Sequence, residues 1–168
     1  MKKQKGFSLI ELLIVVAIIL IIAAIAIPNL LRAKIAANEA SAVGSMRTIV
    51  TSEVAYASAG WTSGGQPIGF SAALADLGGT NCASAPPTAT NTCLIDPVLA
   101  GATASGTPKS GYYFTYTPGG NPNHTSFTLS GAPAAPQQTG NRYFFADASG
   151  VIRFNPSQAA TSTDTALQ

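Results

Sequence analysis

The 168-residue sequence predicts an α+β fold, one long N-terminal helix packed on a small antiparallel sheet, from three observations. Leu12–Ile27 is an uninterrupted apolar run. Beyond it, Val43, Met46, Val50, Val54 and Ala57 recur every three or four residues, the period of one helix face. After residue 110, short aromatic and Thr-rich segments alternate with Gly-, Asn- and Asp-bearing turns, the pattern of hairpins. Helix first and strands afterwards is an α+β order.

Composition limits the function classes. A single histidine excludes a His-cluster metal site. Nine Lys+Arg against seven Asp+Glu, a net charge of +2, is too weak a field to predict specific nucleic-acid binding. Only 10% of residues are charged, where about 25% is usual. The charges are also unevenly placed. Residues 1–53 hold Lys2, Lys3, Lys5, Glu11, Arg32, Lys34, Glu39, Arg47 and Glu53. The 115 residues after them hold only Asp76, Asp96, Lys109, Arg142, Asp147, Arg153 and Asp164 and are rich in Gly, Ser, Thr, Asn and Pro. Such a neutral polar surface suits a domain outside the cell.

Residues 1–6 form a basic stub, and 7–31 carry the apolar run up to Arg32 and Lys34. The uncharged stretch from Leu12 to Leu31 has about the length that crosses a bilayer core as a helix. A secretory signal with a small-residue site at Ala24-Ile25-Ala26 and a permanent single-span anchor are two readings of it. Neither explains Glu11, because a carboxylate inside hydrocarbon costs on the order of 2.5–3.5 kcal/mol and marks a functional site by default.

The segment Lys5-Gly6-Phe7-Ser8-Leu9-Ile10-Glu11-Leu12-Leu13 resembles the class III signal of type IV pilins and pseudopilins. The resemblance implies that a prepilin peptidase removes 1–6 by cutting between Gly6 and Phe7. It implies that the same processing N-methylates Phe7 and that the apolar segment is kept. It also implies that Glu11 of one subunit meets the Phe7 amine of the next. The physics agrees: each charge is costly in lipid alone, so pairing them fixes one axial register between subunits. Cleavage would delete three lysines, leaving six positive against seven negative side chains and a balance of −1. The basic leader itself favours a cytoplasmic N-terminus.

The stripe from Val43 to Ala57 extends the helix through 32–59, with Asn38, Glu39, Arg47, Thr51 and Glu53 between its apolar positions. A helix from Phe7 to Ser58 would be roughly 75 Å long. That is too long for a compact domain of this size, so its apolar half should project. Pro28 predicts a kink, Gly44 is a second weak point, and Gly60 with Gly64-Gly65 marks the helix end.

Residues 60–110 read as an irregular connection. Phe70–Leu77 is a candidate short helix capped by Ser71 and stopped by Gly78-Gly79, and Ile95–Ala100 is a candidate turn. Cys82 and Cys93 are too few and too far apart for a zinc site. In an exported domain a disulfide is the simple reading, worth roughly 2–3 kcal/mol in the chain-entropy model. The sheet is expected over 111–155, with strands at Tyr112–Thr117, Thr125–Ser130, Arg142–Ala146 and Val151–Phe154. Gly119–Asn123 and Asp147–Gly150 supply its turns. Tyr112, Tyr113, Phe114, Phe144 and Phe145 read as sheet core, and 156–168 reads as a flexible polar tail.

No catalytic set emerges, so the chain is not expected to be an enzyme. His124 has no acidic or nucleophilic partner in its neighbourhood and is expected in solvent beside a turn. Asn123-His124-Thr125 fits a glycosylation pattern that short sequences reach by chance. Asp147 with Ser149 and Gly150 offers one carboxylate where calcium wants several. No metal or cofactor is expected.

The function expected is that of a structural subunit of a type IV pilus-like filament. Its partners would be identical subunits in a helical array, the prepilin peptidase/methyltransferase, the inner-membrane assembly machinery and the membrane itself before assembly. It would reside in the inner membrane as precursor and on the cell surface once assembled. A major pseudopilin of a type II secretion system is the nearest alternative, and calcium-dependent melting would favour it. A monomeric membrane-anchored binding domain is the alternative of another class. Indifference of its cellular state to Glu11→Ala would favour that reading.

Overall fold

The computed structural model describes residues 7–79, 82–84 and 86–167. By its internal contacts the chain divides into two units, Met1–Lys34 and Ile35–Gln168.

The first unit is helical. Helix α1, Leu9–Ser58, begins here and has 50 residues. It starts two residues after Phe7 because Ser8 occupies the capping position. The Ser8 amide donates to Glu11 Oε2 at 3.3 Å, and the Leu12 amide donates to the Ser8 carbonyl at 3.2 Å. Ser8-Leu9-Ile10-Glu11 is thus a capping-box sequence whose carboxylate arm is formed. Every large apolar side chain from Leu9 to Leu31 is exposed. The best 18-residue window of the helix has a mean hydropathy of 3.3. Backbone helix continues through Pro28. The proline withholds one amide from the preceding turn, and the helix carries that loss without breaking.

The second unit is an α+β domain. Its part of α1 buries Glu39, Ala42, Val43, Ser45, Met46, Ile49, Ser52, Glu53 and Tyr56. This corrects the expected stripe. Val43 and Met46 are buried as expected, Val50 only partly, and Val54 is 60% exposed. At about 100° per residue, the buried face is centred about 80° away from the one that the valines mark. Two glutamates lie on it, which is why hydrophobicity alone pointed elsewhere.

Gly60, at φ +71°, ends the helical run. The chain then makes a small hairpin of β1, Thr62–Ser63, and β2, Gln66–Pro67. Gly64 and Gly65, at φ +59° and +81°, form its turn, as a two-residue hairpin turn requires. They therefore serve the hairpin rather than the helix end. Helix α2 is only Leu74–Leu77, with the Asp76 carboxylate accepting from the Ala73 amide at 3.0 Å. Ser71 is not its cap, because Glu53 engages that side chain. Helix α3, Pro97–Ala100, is capped by Asp96, whose Oδ1 accepts from the Leu99 amide at 2.9 Å. Asp96 also pairs with Lys109 at 2.6 Å. Cys82 and Cys93 form a disulfide with Cα atoms 5.7 Å apart. Gly79 lies against it, since a Cβ there would meet both sulfurs and Asn91 Oδ1.

Five antiparallel strands follow in sequential order: β3 Tyr112–Gly119, β4 Ser126–Pro133, β5 Tyr143–Asp147, β6 Arg153–Asn155 and β7 Thr165–Ala166. Phe114 faces Gly131, Leu129 faces Ala146, and Phe144 faces Phe154. Strand alternation puts Tyr112, Phe114, Phe127, Leu129, Phe144 and Ala146 in the core with Met46 and Ile49. Tyr113 and Phe145, expected with them, point to the other face and are only half-buried. Gly131 makes room for the helix: a Cβ there would stand 3.3 Å from Met46 Sδ and from the Phe114 ring.

The tail departs from the expected flexible segment. Thr165–Ala166 adds a strand to β6. Arg153 Nη1 donates to the Asp164 carbonyl at 2.9 Å, and Asn155 Nδ2 to Asp164 Oδ1 at 3.0 Å. The Leu167 amide donates to the Ile152 carbonyl at 2.7 Å. Low hydrophobicity hid this strand because polar side chains and backbone bonds hold it.

Candidate functional site

The candidate site is the start of α1. Gly6 lies outside the described residues. Phe7 is non-helical, 78% exposed and immediately precedes the capping serine. Glu11 lies one turn into the helix, and between Phe7 and Leu31 it is the sole ionisable side chain. Its recorded contact is the Ser8 amide, and no ion pair reaches it among the described residues. A carboxylate in the first turn also suits the positive end of the helix dipole. The capping role of Glu11 is legible in the Ser-x-x-Glu spacing.

Two further glutamates on α1 tie it to the head. Glu39 Oε1 accepts from the Asn141 amide at 2.8 Å and the Arg142 amide at 3.2 Å, and its Oε2 accepts from Arg142 Nε at 2.7 Å. Burial alone would push its carboxyl up, but the Asn141 amide and the Arg142 side chain and amide together hold it below the ordinary value. The Arg142 guanidinium lies 5.6 Å from the Phe144 ring centroid and 5.5 Å from that of Phe154, within cation–π reach of both. Asn38 Nδ2 adds a bond to the Thr139 carbonyl at 2.8 Å.

Glu53 is fully buried, and no ion pair reaches it among the described residues. Its Oε1 accepts from the Ser71 hydroxyl at 2.5 Å and its Oε2 from the Ser71 amide at 3.0 Å. Burial pushes its carboxyl above the ordinary value, and the Ser71 bonds offset that only in part. Tyr116 donates to the Ser71 carbonyl at 3.0 Å and closes the group. Burial, followed by the nearby Glu53 charge, also pushes the Tyr116 phenol up despite the bond to Ser71. The sequence reading placed Glu39 and Glu53 between the apolar positions and gave neither a role. The signal was their phase: 39, 42, 46, 49, 53 and 56 form one helical line.

His124 departs from the expected solvated position. It is half-buried at φ +47°, and its Nδ1 is buried without a protein partner among the described residues. Its carbonyl accepts from the Phe70 amide at 2.9 Å. The Asp147 carboxylate accepts from the Ser149 amide at 2.9 Å and so closes a turn. Among the described residues, no three His, Cys, Asp or Glu side chains are grouped as a metal site requires.

Residues 1–27 match the family profile described as the prokaryotic N-terminal methylation motif. The chain is similar to the type IV wide pilus major component PilA4 of Thermus thermophilus, with 64% identity over 39 residues. That match covers 23% of this chain and 30% of the relative's own length. No solved structure matches the chain. The N-terminus is therefore of the prepilin type, and the matched motif spans the segment that carries Gly6, Phe7 and Glu11.

Proposed function

We propose that the chain is the structural subunit of a type IV pilus-like filament, made as a membrane-inserted prepilin and processed between Gly6 and Phe7. The observation that carries this reading is a methylation-motif N-terminus joined to a helix whose large apolar side chains from Leu9 to Leu31 are all uncovered. Lipid covers such a surface before assembly, and identical helices cover it afterwards. Fully burying each Leu, Ile or Val is worth about 1.5–3 kcal/mol in water, so this segment cannot stay bare in solvent.

Glu11 is the register device in this reading. Cleavage exposes a positive amine on Phe7, which processing then methylates. In the filament, the Phe7 amine of one subunit donates to the Glu11 carboxylate of a neighbour. Any other axial offset leaves two unpaired charges among apolar helices, at several kcal/mol each. Pro28 withholds one backbone bond and is the place where the helix can bend as subunits pack.

The name of the similar protein, a pilus component, favours a pilin over a pseudopilin of type II secretion. The test is to shear filaments from cells that make the protein, then sequence the subunit and determine its mass. The expected subunit begins at Phe7 and carries one added N-methyl group. An N-terminus at Met1 or at Ile27, or the absence of the chain from any filament, overturns the proposal.

A further inference from the structure

Two exposed apolar patches lie on opposite flanks of α1, both within the second unit. The first is built on Val50 and Val54, one turn apart on the helix. A Cβ on Gly150 would stand 3.8 Å from Val50 Cγ1, so the β5–β6 turn borders this patch and adds the exposed Val151. The second patch starts at Leu94, whose carbonyl accepts from the Ser52 hydroxyl at 3.4 Å. Leu94 is exposed, and the chain runs on through exposed Asp96 to exposed Val98 in α3. At about 100° per residue, Val50 and Val54 each stand about 160° round the helix from Ser52. The patches therefore flank α1 on opposite sides and cannot meet within one copy.

Single exposed apolar side chains are ordinary on a protein surface. What sets these apart is the charge beside each. Arg47 is exposed one turn before Val50, and no ion pair reaches it among the described residues. On the other flank, Asp96 stands between Leu94 and Val98 in the sequence. It accepts from the Leu99 amide and from Lys109, yet its side chain stays 47% exposed. An ionised carboxylate has about four acceptor sites, so Asp96 has room for a further donor. Asp147, the carboxylate of the β5–β6 turn, bends back to the Ser149 amide at 2.9 Å.

One chain thus carries both halves of a complementary contact, a cation beside valines and a carboxylate beside Leu94 and Val98. A two-fold dimer would bring like patches together and set two arginines, or two aspartates, in one contact. A head-to-tail contact brings unlike patches together, and that class of contact builds rings or open helical arrays. We propose that the Leu94–Val98 patch of one copy docks on the Val50–Val54 patch of the next, with Asp96 accepting from the neighbour's Arg47. This rests on the filament reading, which brings copies side by side.

The test uses sheared filaments of the full chain carrying both Val54→Cys and Val98→Cys, at positions 60% and 64% exposed. Cys82 and Cys93 are already joined, so these are the chain's two free thiols. Mild oxidation is expected to give a ladder of disulfide-linked multimers, because each copy joins the next through two different surfaces. Either single variant should stay monomeric. Dimers from a single variant, intact filaments of the double variant without a ladder, or an equal ladder from the double variant dispersed in micelles would each overturn the proposal. The charges give a second measurement should the cysteine variant not assemble. Arg47→Gln and Asp96→Asn, the latter keeping the α3 cap, should each shift filament dissociation to lower urea concentration. Together they should shift it no further than the lower of the two singles, and fully additive shifts, or none, would overturn the contact. Wild-type filaments that lack this chain would sink the filament reading itself. Filaments whose subunit begins at Phe7 but which fail these tests would sink only the contact between heads.

Discussion

Along α1, the stretch from Leu9 to Leu31 exposes all its large apolar side chains, whereas the stretch from Glu39 to Tyr56 buries a face that includes two carboxylates. The two halves treat charge in opposite ways. Glu39 and Glu53 find partners within the chain, Arg142 for one and Ser71 for the other. Glu11 has the Ser8 amide and no cation among the described residues. The head therefore meets its buried charges within one copy of the chain. The N-terminal half presents apolar area and one charge that no cation among the described residues meets.

The largest expected effect breaks that contrast at Glu11. Glu11→Ala removes both the charge and the helix cap, while Glu11→Gln keeps a carbonyl that accepts from the Ser8 amide. If pairing with a neighbour's amine is what matters, both variants lose filament incorporation while processing at Phe7 persists. If the cap is what matters, Glu11→Gln assembles normally. Filament yield per cell, measured beside the membrane pool of mature subunit, separates the two outcomes.

The head should fail differently. Phe114 is fully buried between β4 and α1, so Phe114→Ala should cost about 3–5 kcal/mol. Breaking the disulfide by Cys82→Ser with Cys93→Ser should cost about 2–3 kcal/mol. Denaturant midpoints of the full chain in micelles check both. Neither substitution should change cleavage at Phe7, because the processing motif lies in the other unit. A processing defect in either variant would show that the two units are coupled after all.

The two buried glutamates give a subtler test by pH. Glu39 is held below its ordinary value of 4.5. Its ionised form stabilises the head fully above that pH, and the contribution is lost as pH falls further. Glu53 is raised above the same value. Its contribution is full below pH 4.5 and is lost as pH rises through its raised value. Stability should therefore fall on both sides of a maximum. Glu39→Gln should flatten the acid side, and Glu53→Gln should flatten the loss on the other. Identical pH slopes in wild type and Glu53→Gln would mean that Glu53 ionises freely despite its burial.

How much of this was legible follows from the same contrast. The N-terminal half was readable because lipid-facing sequence obeys a simple rule: a long apolar run, with any charge within it needing a reason. The hairpins were readable from Asp147–Gly150 and the alternation of Phe127 and Leu129. The face of α1 buried in the head was not. Its line includes Glu39, Ser52 and Glu53, which hydrophobicity counts as surface, and the partners Arg142 and Ser71 lie far away in sequence. Strand β7 was missed for a related reason, since Asp164 is satisfied by Asn155 and the Thr161 amide rather than by apolar packing. The backbone bonds between segments 69–70 and 123–124 are a pairing that no local pattern announces.

The smallest effect makes the sharpest distinction between the two faces of α1. Ile49 is fully buried and Val54 is 60% exposed, although helical spacing placed Val54 on the apolar stripe and left Ile49 off it. Ile49→Ala should cost about 2–5 kcal/mol. Val54→Ser should change head stability by less than about 0.5 kcal/mol. If both variants melt together, the buried face is the one the valines mark, and the packing of α1 on the sheet described above is wrong. If Val54→Ser melts as wild type yet lowers filament yield, the valine stripe has a use that one copy of the chain does not reveal. Val50, Val54 and Ala57 would then belong to a contact made only between subunits, and the period read from the sequence would be reporting assembly rather than folding.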